Sequence, residues 1–261
     1  TEDNSGNLLL ATGHGLNIFD KNSGKVTEVY KSGKKYSSLN VDQVLYVYSD
    51  EDGIIWLGTY GGGLNKLDRK NKTVQYYSEK EGLPNNVVYG MLPDETGNLW
   101  LSTNKGLVRF KKSTGKMRVY DPSDGLQSYE FNSNAFYKSR NGEMYFGGVN
   151  GYNSFFPARV QDNTAVPPVV ITTVKSLNKE VIQEVIKNTN NPVVIPFSEN
   201  ILTFEFVALD YANPKRNKYL YKLEGFDKEW TRAGGRRYAA YTNLPPGKYT
   251  LGFVATDRSN D

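Results

Sequence analysis

The sequence contains no cysteine and a single histidine, His14. Without thiols there is no disulfide, no thiolate nucleophile and no cysteine-ligated zinc, and one imidazole cannot supply a site that needs two. Long apolar runs are missing as well. No stretch approaches the roughly 18 to 20 consecutive apolar residues of a membrane span, and the first residues do not read as a signal peptide, so any export signal or anchor is expected outside these residues. Nor is charge gathered in one place. The 32 basic and 28 acidic residues leave a net charge of +4, spread evenly over the two halves of the chain. The densest basic clusters, Lys34-Lys35, Lys111-Lys112 and Arg236-Arg237, are isolated pairs, and a nucleic-acid protein concentrates such residues into a stripe. No nucleic-acid partner is expected, and so dispersed a charge does not discriminate acidic from neutral ligands.

What the sequence does contain is aromatic residues set between chain breakers. Its 261 residues include 19 Tyr, 12 Phe, 25 Gly and 11 Pro, at 38% hydrophobic and 23% charged. That is a folding composition of short strands and tight turns, and the expected class is all-β. Self-similarity organises the first half. Four segments align, opening at Gly6, Gly53, Gly97 and Gly142, which stand 47, 44 and 45 residues apart. A period near 45 holds four strands and four turns, the size of one β-propeller blade.

Alternation and breakers place the strands within a period. One unit reads as Val44–Tyr48, Ile54–Thr59, Leu64–Leu67 and Val74–Tyr77, and the next as Val87–Leu92, Leu99–Thr103, Leu107–Phe110 and Met117–Tyr120. The turns Asp50–Gly53 and Asp94–Gly97 each offer a carboxylate as a cap and a glycine for positive φ, while Gly106 lets the chain reverse where a Cβ would clash. Recurrence of Asp50, Asp52, Asp94 and Glu95 at one structural turn points to capping rather than to the paired acids of a glycosidase. In the same way Trp56 and Trp100, in phase with Leu9 and Tyr145, are expected to pack between blades rather than to form a sugar platform.

The pattern G-x-L-W-L-G/S-T-x-x-G-L, followed by Glu81–Asn86 or Asp124–Ser128, resembles the regulator-propeller repeat of bacterial hybrid two-component sensors. The resemblance covers roughly residues 6–158. At Gly142 it departs, with Tyr145 for Trp and Gly147-Gly148 for Gly-Thr, as a closing blade would. The resemblance implies a seven-bladed ring, of which residues 1–160 would be the C-terminal blades. Three to four blades cannot close a ring, so the flat face of the first blade is expected to present an apolar patch.

After Phe155-Phe156-Pro157 the repeat stops, and Gln161–Pro168 reads as a linker. Strands follow at sandwich spacing: Val169–Val174, Val193–Ile195, Ile201–Ala208, Tyr219–Leu223, Glu229–Arg232, Arg237–Tyr241 and Tyr249–Ala255. Tyr219, Tyr221 and Leu223 share one face, Trp230 is expected in the core, and Tyr249 is expected to form a tyrosine corner with the turn before it. Residues 219–230, 237–244 and 246–249 resemble the tyrosine-rich Y_Y_Y sandwich that follows such propellers. Against that pattern the last strand of 161–261 is expected to be missing.

The expected architecture is therefore a partial β-propeller of four-stranded sheets over 1–160, followed by an immunoglobulin or fibronectin-III-like β-sandwich over 161–261. By resemblance the chain would be the periplasmic ligand-sensing region of an inner-membrane hybrid histidine kinase. It would detect oligosaccharides and signal through the sandwich as part of a receptor homodimer, with kinase and membrane segments outside this chain and no cofactor, metal or catalytic residue within it. A secreted propeller lyase or glycosidase with an accessory sandwich is the alternative. If a ligand binds, loops on one propeller face are the place for it. His14, Tyr60, Asn104, Lys105 and Asn150 are the candidates, offering the donors, acceptors and ring that a hydroxyl-rich ligand needs.

Overall fold

The structure, a computed structural model, describes residues 1–33, 38–161, 167–176, 179–180, 194–210, 214 and 217–256. The chain divides into two compact units, Thr1–Asp162 and Asn163–Asp261.

The first unit consists of four antiparallel meanders. They are β1 (Leu8–Thr12), β2 (Gly15–Asp20), β3 (Lys25–Tyr30); β4 (Val44–Ser49), β5 (Ile55–Thr59), β6 (Leu64–Asp68), β7 (Thr73–Tyr77); β8 (Val88–Pro93), β9 (Asn98–Thr103), β10 (Gly106–Lys111), β11 (Met117–Tyr120); and β12 (Phe131–Lys138), β13 (Met144–Gly148), β14 (Gly151–Phe155). Each strand lies within two residues of its place in the repeat. In phase with the two middle sheets, β1 to β3 are second to fourth strands, with Glu2 bridged to Leu8 at the first-strand position. By the same phase β12 to β14 are first to third strands.

Burial explains why β5 breaks strict alternation. All five of its residues are buried, because both faces are covered. Ile55 and Leu57 join Leu9, Val47 and Leu67 at the seam with the first sheet, whereas Trp56 joins Val88, Met91 and Leu99 at the seam with the third. Trp100 repeats this one sheet later, against Phe131, Met144 and Phe146. The open face of the first sheet carries Leu10, Val26 and Val29, exposed at 39%, 48% and 49%, the apolar patch expected of an uncovered blade. On the innermost strands, Gly90 lets the Phe136 ring of β12 lie across β8, where a Cβ would come within 1.9 Å of it. Phe136 thereby meets Tyr46 of β4 edge to face at 4.8 Å.

The second unit pairs β15 (Val169–Ser176), β16 (Lys179–Glu180), β17 (Leu202–Ala208) and β20 (Tyr238–Tyr241) in the order β16-β15-β17-β20. Its other sheet has β18 (Lys218–Glu224), β19 (Thr231–Gly234) and β21 (Thr250–Thr256) in the order β19-β18-β21. Tyr219, Tyr221 and Leu223 point together into the core with Phe206, Ala239 and Tyr241. The Ala208 amide donates to the Tyr219 hydroxyl at 3.1 Å, tying one sheet to the other. Tyr249 forms the expected corner, its hydroxyl donating to the Pro245 carbonyl at 2.7 Å.

Two expectations fail here. Trp230 is not a core residue: it is 44% exposed, and its ring edge lies over Gly252, whose missing side chain leaves room on the outer face of β21. Val194 and Ile195 form no strand, and Val194 is 90% exposed; Val193 and linker residues 162–166 lie outside the described residues.

Candidate functional site

The turn between second and third strands is built the same way three times. The hydroxyls of Thr12, Thr59 and Thr103 donate to the carbonyls of Gly15, Gly63 and Gly106 at 2.8, 2.8 and 2.7 Å. Each turn is clamped from beyond by the segment leading into the next sheet: Gly15 N donates to Asp42 O, Gly63 N to Asn86 O and Gly106 N to Tyr129 O, at 2.7, 2.8 and 2.6 Å. Turns and inter-sheet segments therefore meet on one face, as the four-stranded repeat requires. The recurring acid-Gly-Leu element of those segments has a structural role of its own. Ser78 and Glu81, and likewise Asp121 and Asp124, form capping boxes around short 3-10 turns that end on left-handed Gly82 and Gly125.

All five candidate residues are exposed on that face. Tyr60 and Asn104 converge on one residue that the sequence did not single out, Tyr89, whose hydroxyl donates to Asn104 Oδ1 at 3.3 Å. Burial, followed by the nearby Tyr60 and Glu130, pushes the Tyr89 phenol above its ordinary value. Lys105 follows Asn104 in the same turn, its amide held by Thr103 Oγ1 at 3.0 Å. Tyr129, 50% exposed, belongs to the segment clamped onto that turn, its carbonyl accepting from Gly106 N. His14 sits in the first sheet's turn, its amide on Thr12 Oγ1. Asn150 sits in the fourth sheet's turn, held by Gln127 through its amide at 2.7 Å. The patch that forms is thus Tyr60, Tyr89, Asn104, Lys105, Tyr129 and Glu130. Rings, an amide, an amine and a carboxylate can stack on and hydrogen-bond a polyhydroxylated ligand.

The other conspicuous acids are committed elsewhere. Asp50 accepts from the amides of Asp52 and Ile54 and from the Trp56 indole at 2.9 Å. Asp94 does the same for Thr96, Asn98 and, at 3.0 Å, the Trp100 indole. Burial alone would raise the Asp94 carboxyl, but the bonds from Asn98, Trp100 and Thr96 outweigh it and hold it below the usual 3.8. Each of these turns also receives a cation from the following sheet: Arg69 reaches Asp3, Lys112 reaches Asp50 and Lys138 reaches Glu95, at 2.9, 3.3 and 2.7 Å. Recurrence at this turn therefore reflects capping and seam closure. Among the described residues no group of three or more acids and histidine is placed to hold a metal ion.

Comparison with known proteins agrees with this repeat and its successor. Residues 38–61 and 82–105 match the Two component regulator propeller family, and residues 210–261 match the Y_Y_Y domain. A protein named Histidine kinase P4, from Formosa agariphila, is 27% identical over 272 residues, covering 99% of this chain and 19% of its own length. The crystal structure of the extracellular domain of BT3049 from B. thetaiotaomicron, described as a hybrid two component system, is 27% identical with a TM-score of 0.81, covering 100% of this chain and 36% of that one. The chain thus spans about a fifth of the curated relative and about a third of the solved one. It carries regulator-propeller repeats followed by a Y_Y_Y sandwich. Among the described residues no helix is long and apolar enough to cross a membrane.

Proposed function

We propose that this chain is part of the extracytoplasmic ligand-sensing region of a hybrid two-component sensor, that its ligand is an oligosaccharide, and that it contains no catalytic centre. The observation that carries the reading is the likeness of the whole of this chain, at a TM-score of 0.81, to part of the extracellular domain of a hybrid two component system, supported by its regulator-propeller and Y_Y_Y matches. The site proposed is the loop-face patch around Tyr89, which meets Asn104 and lies near the exposed Tyr60, with Lys105 and Tyr129 in the adjoining turn and segment. Ligand would favour one arrangement of a receptor dimer by binding it more tightly, and the sandwich would pass that preference towards a membrane segment and kinase outside this chain.

Isothermal titration of the complete extracytoplasmic region against neutral and acidic oligosaccharides tests it. Heat from one sugar class, lost on Tyr60→Ala and Asn104→Ala while the thermal transition holds, is the expected result. Silence from every class would sink the ligand assignment. Release of reducing ends on incubation with polysaccharide would favour an enzyme instead.

A further inference from the structure

The innermost strands β4, β8 and β12 are bulged at the same place, and the last bulge is the largest. In β4, Val44 and Tyr46 face Thr59 and Gly58, leaving Leu45 as the extra residue. In β8, Val88 and Gly90 face Thr103 and Ser102, leaving Tyr89. In β12, Phe131 and Phe136 face Gly148 and Phe146, so that Asn132, Ser133, Asn134 and Ala135 stand against Gly147 alone. Three residues are extra there instead of one.

A bulge bends its strand and re-aims the side chains it carries. Tyr89 shows the effect, because the residue at the centre of the loop-face patch is itself the bulged residue of β8, and its hydroxyl reaches Asn104. Its counterparts one sheet later are polar. Asn132, Ser133 and Asn134 are all exposed, and among the described residues none of their side chains is hydrogen-bonded. They adjoin the patch through Glu130, which stands two residues before Asn132 and lies near the Tyr89 phenol.

This bulge is held at both ends. Phe131 before it is buried in the cluster of Trp100 and Phe146, and Phe136 after it lies across Gly90. Between them Asn134 has φ 57, the one left-handed residue other than glycine inside a described strand. Glycine adopts that backbone most readily, and asparagine adopts it while keeping an amide.

We propose that Asn132, Ser133 and Asn134 extend the ligand site and select an uncharged oligosaccharide, an inference that rests on reading the loop-face patch as a sugar site. Amides and a hydroxyl pair with sugar hydroxyl and acetamido groups as donors and acceptors without contributing charge. The patch beside them carries one cation, Lys105, and one carboxylate, Glu130. A uronate or sulfate group would meet no net counter-charge there and would lose hydration without gaining a partner.

The test is calorimetric titration of the complete extracytoplasmic region with malto-, xylo- and chito-oligosaccharides, and with oligogalacturonate and sulfated galactan oligosaccharides. Heat is expected from a neutral series. Combining Asn132→Ala with Asn134→Gly, which keeps the backbone free to be left-handed, should weaken that binding about tenfold while the thermal transition holds. Amide exchange at residues 132–135 of the parent should also slow on binding, a readout that needs no variant. If exchange there is unaltered and the double change is without effect, while Tyr60→Ala and Asn104→Ala abolish binding, this inference is overturned and the patch stands. Preference for an acidic series overturns the choice of ligand, and silence from every series overturns both readings.

Discussion

The two middle sheets and the two flanking ones are built from one repeat, yet they differ at the position that holds Trp56 and Trp100. In the middle sheets an aspartate caps the first turn and also holds the indole of its own second strand, so one carboxylate sets both the turn and the ring that fills the next seam. The first sheet keeps the aspartate, but Leu9 stands in the tryptophan's place, and the second oxygen of Asp3 accepts from Asn7 and Arg69 instead. The fourth sheet has neither: Ser139 opens its turn, and the Tyr145 hydroxyl donates to Glu143 on the uncovered side. There Tyr145 forms a row with Tyr137 and Tyr152, ring centroids 6.5 and 6.2 Å apart. At the seams with the third and fourth sheets the position holds a buried, hydrogen-bonded tryptophan; at the seam with the second sheet it holds buried Leu9, and in the fourth sheet a polar ring.

Truncation should expose that difference most sharply. Trp100→Ala removes a side chain that is 2% exposed and stacked on Tyr120, and about 3–5 kcal/mol of stability should be lost in urea unfolding. Tyr145→Ala, at the same phase, should lose a small fraction of that. Next in size is the glycine that reverses the chain before each third strand. Gly106→Ala forces a Cβ onto the Tyr120 carbonyl at φ 102 and should cost roughly 1–3 kcal/mol. Gly151→Ala, equally left-handed but facing open space, should cost only the backbone strain, about 1 kcal/mol.

Asp94→Asn should cost about 1–2 kcal/mol at neutral pH, since one of its oxygens no longer accepts from the indole. Because the folded carboxyl lies below the usual 3.8, its stabilisation is complete above that value and disappears as pH falls through the folded pKa. Stability measured from pH 6 to pH 2 should therefore fall less steeply in the variant than in the parent, and parallel curves would contradict the assignment. The smallest effect is expected at the cationic seam contacts. Lys112→Ala leaves Asp50 its amides and indole, so a loss near 0.5 kcal/mol, shrinking further in high salt, is the expected reading of a denaturation midpoint.

Much of this was legible because it recurs. Alternation and breakers within a fixed period gave the eight strands of the two middle sheets to within one residue, and the shared phase of Trp56 and Trp100 identified seam packing. Trp230 illustrates the opposite case. It occurs once, so no phase separates a ring facing the core from one lying over Gly252 on the outside. Tyr89 was missed because it opens a strand, where an aromatic residue reads as packing, and only the fold brings it beside Asn104 from the neighbouring turn. The bond from indole to carboxylate had a faint signal, the repeated spacing of Asp50 to Trp56 and Asp94 to Trp100, but Asp3 keeps the acid without the ring. Tyr249 was read correctly because its turn, Pro245-Pro246-Gly247, lies immediately before it.

The cations that stitch the seams give the array a direction. The second sheet sends Arg69 back to the first and receives Lys112 from the third, so one period taken from the middle carries both a plug and a socket. An in-frame duplication of that period would create seams already furnished on either side, and such a chain should unfold with a larger dependence on denaturant, in proportion to the surface added. A copy of the fourth sheet inserted in the interior would offer no aspartate to the blade behind it. A further copy is thus better furnished for the middle of this array than for a place behind its fourth sheet.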